Sequence, residues 1–275
     1  MLEMLLPLIC GAAVGLSLGL TGGGGSLFAL PLLVYVLNIP LQQAVPASLV
    51  IVGLTALIGA IDALRLKLVL IRPTLIFAAS GMAMAPVGLL LGGLLAENAR
   101  LGLFAILAFV IAVRMCWQSL HSDMHTVRAR LKASSEASPV CHFAPDGALR
   151  FSLPCALMLL LGGCLTGVLS GLFGVGGGFI IVPVLMATIK LPITQAIGSS
   201  LLVITLVSAS GAMSAASELA VQKSLMLPFV VGGLAGMIAG RTIASRITGK
   251  TLQNIFAAGL FIVASAIIMQ LSKGG

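Results

Sequence analysis

Gly19-Leu20-Thr21-Gly22-Gly23-Gly24-Gly25-Ser26 lies between two apolar runs, and 152 residues later the chain repeats the pattern as Gly171-Leu172-Phe173-Gly174-Val175-Gly176-Gly177-Gly178. Each stretch interrupts hydrophobic sequence that would otherwise read as one long membrane helix. Glycine lets the backbone leave helical geometry and approach a neighbour or ligand closely. A helix restarting at Ser26 or Gly178 leaves its first N–H groups unpaired at the break. Such a terminus attracts anions through free donors and a partial positive charge of roughly half a unit.

The surrounding composition places both stretches in a membrane protein. Of the 275 residues, 59% are hydrophobic and only 8% charged, and the mean hydropathy is +1.20. A soluble domain cannot cover itself with so little polar surface. The net charge of +8 belongs to loops between apolar segments. It does not mark a nucleic-acid partner, because the basic residues are not clustered with stacking aromatics and the chain has one Trp and one Tyr. Those two, Trp117 and Tyr35, fall near segment ends, as interfacial aromatics do. The five cysteines are odd in number, show no CxxC spacing and lie mostly in apolar runs, so neither a disulfide framework nor a zinc site is expected. The apolar N-terminus has no basic region or small-residue cleavage site, and it reads as retained structure.

The apolar run Met4–Leu20 amounts to about 25 Å of helix, short of a hydrocarbon core of roughly 30 Å. Leu27–Leu37 is shorter still. The pair is therefore one broken crossing or a re-entrant hairpin, tolerable only where protein or a cavity surrounds it. Further spans are expected at Leu41–Leu64 behind Pro40, at Pro73–Leu95 and at Leu101–Leu120. His121–Arg150 is the only long polar stretch and reads as a linker; the spacing of His121 and His125 fits a metal, but no further ligand set accompanies it. The second half follows the same plan: Leu153–Leu172, the break, Phe179–Ile189, then Ile193–Ser217 behind Pro192, Leu225–Ala244 and Leu252–Leu271.

Between Gly11–Ala60 and Gly163–Ala212 the match is ungapped and includes Pro31/Pro183, Pro40/Pro192, Gln43/Gln195 and Ser48/Ser200. An internal duplication is the economical explanation, and such repeats are an architecture of secondary transporters. The expected fold is an all-α polytopic membrane protein of two homologous four-segment repeats, about eight transmembrane or re-entrant segments, the first of each repeat broken at a glycine-rich loop. Its parts are repeat 1 over residues 1–120, a linker over 121–150 and repeat 2 over 151–275. Gly11, Gly15 and Gly19, and likewise Gly163, Gly167 and Gly171, line one helix face and are read as packing residues.

Loop charge discriminates between two topologies. Four true crossings per half make the repeats parallel, with ten Lys/Arg inside and five outside. If each broken segment returns to its own side, the repeats are inverted, the linker is cytoplasmic and the division becomes twelve to three. The second obeys the positive-inside rule better and is favoured.

A P-loop needs Gly-Lys-Ser/Thr and a dinucleotide site needs a preceding strand, and neither context occurs. No carboxylate, histidine or lysine sits at mid-membrane, since Asp62 and Glu218 lie near span ends. That disfavours acid–base catalysis and metal-cation transport, so no catalytic residue, metal ligand or cofactor is expected. What remains is donor-rich and neutral: Thr21, Gly22, Gly24, Gly25, Ser26, Gln43, Ser48, Gly174, Gly176, Gly177, Gly178, Gln195, Ser199 and Ser200. These form the expected cradle for a small anion. Interhelical hydrogen bonding is the rival role for Ser48 and Ser200.

The duplicated pattern, Gly-Leu-x-Gly-x-Gly-Gly-Gly/Ser, a Pro six to eight residues on, then x-Pro-x-x-Gln-Ala-x-x-x-Ser, resembles the sulfite exporter TauE/SafE family, also called the toluene-sulfonate uptake permease family. The resemblance spans nearly the whole chain. It implies a multi-pass permease of the bacterial inner membrane for sulfite, sulfoacetate, a sulfonate or another small organic anion. The pattern carries over to Gly22, Gly24, Gly25, Pro31, Gln43 and Ser48, and to Gly174, Gly176, Gly177, Pro183, Gln195 and Ser200. Pro46, where the second half has Gly198, departs from the match and makes the half-sites unequal. The expected partners are the anionic substrate and the lipid bilayer; homo-oligomerisation is left open. The alternatives from other classes are a membrane enzyme and a non-transporting scaffold.

Overall fold

The computed structural model describes residues 2–120, 142–143, 149–150, 153–189, 193–215 and 223–244, with single positions 258, 261, 263, 265, 267 and 269. The remainder of the linker with His121 and His125, Glu218, and most of Leu252–Leu271 lie outside the described residues.

The described chain is helical apart from a two-residue antiparallel pair in the linker, His142–Phe143 against Leu149–Arg150. Helix α1 covers Leu2–Thr21. After the first break comes α2, Gly24–Val36, wound tightly as a 3-10 helix to Phe28 and loosened to a π-type turn beyond Pro31. Proline removes an N–H from the helix ladder, and here the winding changes directly after it. Then follow α3 (Leu41–Arg65), α4 (Ile71–Leu94) and α5 (Glu97–Leu120). Beyond the linker stand α6 (Leu153–Phe173), α7 (Gly178–Ile189), α8 (Ile193–Ser214) and α9 (Lys223–Ala244). Among the described residues six helices, α1, α3, α4, α6, α8 and α9, are long and apolar enough to cross a bilayer. Large apolar side chains point outward on them: Leu90 is 72% exposed, Leu94 83% and Leu153 86%. Inside, large side chains such as Phe77, Phe104, Phe173 and Phe229 are fully buried, while glycines line the closest helix–helix contacts.

Glycine faces decide which helices pair. On α1, a Cβ added to Gly15 would lie 1.9 Å from the Gly233 carbonyl oxygen of α9, and one on Gly11 would lie 2.0 Å from that of Phe229. On α6, a Cβ on Gly167 would fall 2.2 Å from Gly81 O and one on Gly171 2.1 Å from Ala85 O, both on α4. Each first helix thus packs on a helix of the other half, and the contacts advance together along both chains, so α1 runs with α9 and α6 with α4. The central pair is α3 with α8. Leu49 meets Gly211, Gly53 meets Ser208, Gly59 meets Leu201 and Ala63 meets Gly198. One number rises as the other falls, so α3 and α8 run in opposite directions.

The stretch beyond each break folds back on the helix before it. Gly25 lies against the backbone of Ser17 and Leu18. In the second half Gly177 lies against Thr166 and, further along α7, Val184 lies against Gly162, so α7 returns along α6.

No disulfide framework is expected from the sequence, yet Cys155 is disulfide-bonded, whereas Cys10 and Cys164 are free. An odd count and absent CxxC spacing argue against a framework but do not forbid a single long-range bond.

Candidate functional site

The two breaks are built alike and are held by each other's half. The α1 ladder ends with the Gly22 N–H donating to Leu18 O at 2.8 Å, and the α6 ladder ends with the Gly174 N–H donating to Ser170 O at 2.7 Å. Both glycines then take the left-handed conformation, with φ of +73° and +69°, which a side chain would strain. The carbonyls turned out of line are caught across the molecule. Ser200 Oγ donates to Gly22 O at 2.5 Å, and Ser48 Oγ donates to Gly174 O at 2.7 Å. Each hydroxyl is also within reach of its own helix, at Ile197 O (2.8 Å) and Val45 O (2.7 Å). Both serines are buried, and no residue other than a short hydroxyl donor at this helix face would hold a carbonyl so close. The breaks touch directly as well: a Cβ on Gly178 would come within 2.5 Å of the Gly23 Cα.

The other expected site residues divide by what they contact. Thr21 Oγ1 donates to Ser17 O at 2.8 Å and accepts the Gly25 N–H at 3.2 Å, and Ser26 Oγ donates to Gly23 O at 2.7 Å. The first break is therefore closed partly by its own hydroxyls, beside Gly24 at the start of α2. Gly176 and Gly177 continue the second break in the left-handed conformation, with φ of +68° and +66°. Ser199 stands apart: its Oγ accepts the Leu70 N–H at the start of α4, at 3.3 Å. Gln43 and Gln195 are half-buried, five residues before Ser48 and Ser200, about 7.5 Å along the axis. Among the described residues no side-chain hydrogen bond ties either glutamine to a break.

Four residues at the breaks escaped the sequence reading. Thr166, Ser170 and Ser208 are fully buried, and their hydroxyls have no hydrogen-bond partner among the described residues. All three belong to the surroundings of the second break. Ser208 Oγ is 3.1 Å from where a Cβ on Gly176 would stand, Thr166 packs on Gly177, and Ser170 supplies the carbonyl that ends the α6 ladder. Setting the halves side by side at the 152-residue offset would have exposed them, since Val14, Leu18 and Ala56 occupy the matching positions. The fourth is Arg100, 7% exposed, whose Nε donates to Leu172 O at 2.6 Å, two residues before Gly174.

On the side of the first break, a cleft of about 420 Å³ opens between α3 and α9, with Asp62, Arg65, Met237 and Arg241 among its walls. Arg241 Nη2 pairs with Asp62 Oδ2 at 2.6 Å, and Arg241 Nη1 donates to Gly59 O at 3.2 Å. Met237 reaches the last turn of α1, where its carbonyl would lie 2.6 Å from a Cβ on Gly19. Among the described residues no group of three or more His, Cys, Asp or Glu is placed to hold a metal ion.

Two interlocked helix breaks within a set of membrane-length helices form an arrangement shared with transporters built on discontinuous helices. The chain belongs to the sulfite exporter TauE/SafE family, whose model matches residues 7–267. It is similar to a probable membrane transporter protein of Xylella fastidiosa (strain 9a5c), 31% identical over 263 residues that cover 94% of this chain and 91% of the relative. It is also similar to the probable membrane transporter protein YdhB of Bacillus subtilis (strain 168), 27% identical over 230 residues covering 82% and 84%. A shorter match, 49% identical over 55 residues and 20% of each chain, is to the probable membrane transporter protein MJ0441 of Methanocaldococcus jannaschii. No solved structure matches the chain.

Proposed function

We propose that this chain is a secondary transporter for a small anion, sulfur-containing such as sulfite, sulfoacetate or a sulfonate, bound where the two glycine breaks meet. The observation that carries the reading is the reciprocal pair of hydrogen bonds, Ser48 to Gly174 O and Ser200 to Gly22 O. These bonds turn irregular backbone inward at the middle of an apolar protein, where unwound segments of discontinuous helices serve as ligand sites. The family supports the sulfur-containing class.

The halves are taken as inverted repeats, 1–120 and 151–275, around a cytoplasmic linker at 121–150, in an inner membrane. Three features support this: the opposite directions of α3 and α8, the folding back of α2 and α7, and the twelve-to-three charge division. Cysteine labelling in intact cells should then reach both termini from outside and the linker only after permeabilisation; the reverse pattern refutes the inversion.

Flux into proteoliposomes tests the transport reading. Wild-type protein should move sulfite or methanesulfonate, and Gly24→Val or Gly176→Val should abolish that movement in folded protein. Wild-type protein that moves no sulfite, sulfonate or small carboxylate removes the reading.

A further inference from the structure

We infer that the two breaks are not equivalent half-sites, and that a single small oxyanion is held at the second one, by the hydroxyls of Thr166, Ser170 and Ser208 and the N–H groups of Gly176 and Gly177. This rests on the transport reading above and assigns its ligand contacts.

The argument begins with the fate of every buried hydroxyl. In an apolar helix, Ser and Thr satisfy themselves by donating to a carbonyl three or four residues back. Thr55, Thr74, Ser80 and Thr188 do so, at 2.5–2.9 Å. Ser26 bonds within the first break, Ser48 and Ser200 bond across the breaks, and Ser199 accepts from Leu70. Thr166, Ser170 and Ser208 alone among the described buried hydroxyls bond to nothing. A buried polar group without a partner is costly, and a chain that only needed packing would carry Val or Ala there. The first half carries such residues, with Val14, Leu18 and Ala56 at the positions matching Thr166, Ser170 and Ser208, all buried.

The backbone differs in the same sense. At the first break the Gly25 N–H is taken by Thr21 Oγ1. Phe173 stands at the position matching Thr21, and its ring packs edge-on against Phe104 with centroids 5.5 Å apart, so it offers the Gly177 N–H no acceptor. Among the described residues the N–H groups of Gly176 and Gly177 have no acceptor at all. They belong to the loop that opens α7, a twelve-residue helix whose N-terminus adds partial positive charge. Two amide and three hydroxyl donors suit a compact anion with several acceptor oxygens. These five donors are neutral, and the cation described at this break, Arg100, donates to Leu172 O. The cleft beside the first break does not compete for this role, because that break has Thr21 and Ser26 already bonded within it.

The test uses the full chain in detergent and in proteoliposomes, with sulfite and methanesulfonate as probes. Thr166→Val, Ser170→Ala and Ser208→Ala should each weaken binding about tenfold, or about 1.4 kcal/mol in ΔG, and the triple variant should bind and move neither probe. Melting temperatures without ligand should stay at or above wild type, because each change replaces an unpaired buried hydroxyl by apolar atoms. Thr188→Val, which removes a hydroxyl already bonded within its helix, should leave Kd and flux unaltered. If the triple variant fails to fold, the single variants decide by the same measure. Wild-type binding with unaltered variants overturns this assignment and leaves the transport reading standing. Wild-type protein that neither binds nor moves either probe, nor acetate, removes both.

Discussion

Replacing Gly174 by Ala inserts one methyl group at the point where the halves interlock. The new Cβ would stand 2.1 Å from Ser48 Oγ and 2.8 Å from Val45 O, at a backbone φ of +69°. The left-handed conformation alone costs an L-residue about 1–2 kcal/mol. Displacing Ser48 adds roughly 1–3 kcal/mol of overpacking, so the expected loss is about 2–5 kcal/mol. Gly93→Ala is the matched control. That glycine is helical and exposed, with no atom within 4 Å of the added Cβ, and the change should stabilise by about 0.5–1 kcal/mol. In a Ser48→Ala background Gly174→Ala should cost less, because the Oγ clash is gone while the φ strain and the Val45 carbonyl remain. Unfolding by denaturing detergent, followed by circular dichroism, measures wild type, Gly174→Ala, Gly93→Ala, Ser48→Ala and the double variant. If Gly174→Ala matches wild type, or its cost is the same with and without Ser48, the interlock is wrong.

The helix pairs should be less forgiving still. Gly15→Val and Gly167→Val would drive side chains into the carbonyls of Gly233 and Gly81, and both should lose detergent-stable protein on size exclusion, whereas Gly93→Val should not. Asp62→Asn breaks a pair whose side chains are 50% and 25% exposed for Asp62 and Arg241, so its stability change should stay below about 1 kcal/mol and shrink in salt. Arg100→Met removes a buried donor to Leu172 O and should destabilise by about 1–3 kcal/mol; an unchanged unfolding midpoint would contradict that.

Much of this was legible because the deciding signals are local. Glycine runs, helix-starting prolines and apolar lengths fixed where helices begin and end, and the 152-residue repeat singled out Ser48 and Ser200 before their partners were known. What no repeat reveals is which surface meets which. The glycine faces foretold close packing, yet α1 meets a helix of the opposite half, a choice set by shape across more than two hundred residues. Arg100 is not singled out by the sequence because charge in a turn normally means solvent, and only the fold turns it toward the end of α6. Thr166, Ser170 and Ser208 were passed over because lone hydroxyls in apolar helices usually bond to their own backbone.

The donors at the breaks also bear on what would drive the anion proposed as substrate. Apart from the Arg100 guanidinium held on Leu172 O they are hydroxyls and amides, and the described carboxylates with placed side chains, Asp62 and Glu97, are partly or fully exposed. Neither is a buried relay for a coupled proton. An uncoupled carrier responds only to the anion's own concentration gradient and to the membrane potential, which contributes about 2.3 kcal/mol per charge per 100 mV. At an inside-negative potential of that size a monovalent anion is favoured outside by a factor of about fifty, so the expected direction is export. Sulfite or methanesulfonate efflux from proteoliposomes should accelerate when a potassium gradient with valinomycin makes the lumen negative. It should ignore a pH gradient once probe protonation is held constant, an arm cleanest with methanesulfonate, which stays ionised throughout. Strict dependence on sodium or protons would mean that a coupling ion is bound, and the backbone carbonyls of the breaks would be the first place to seek it.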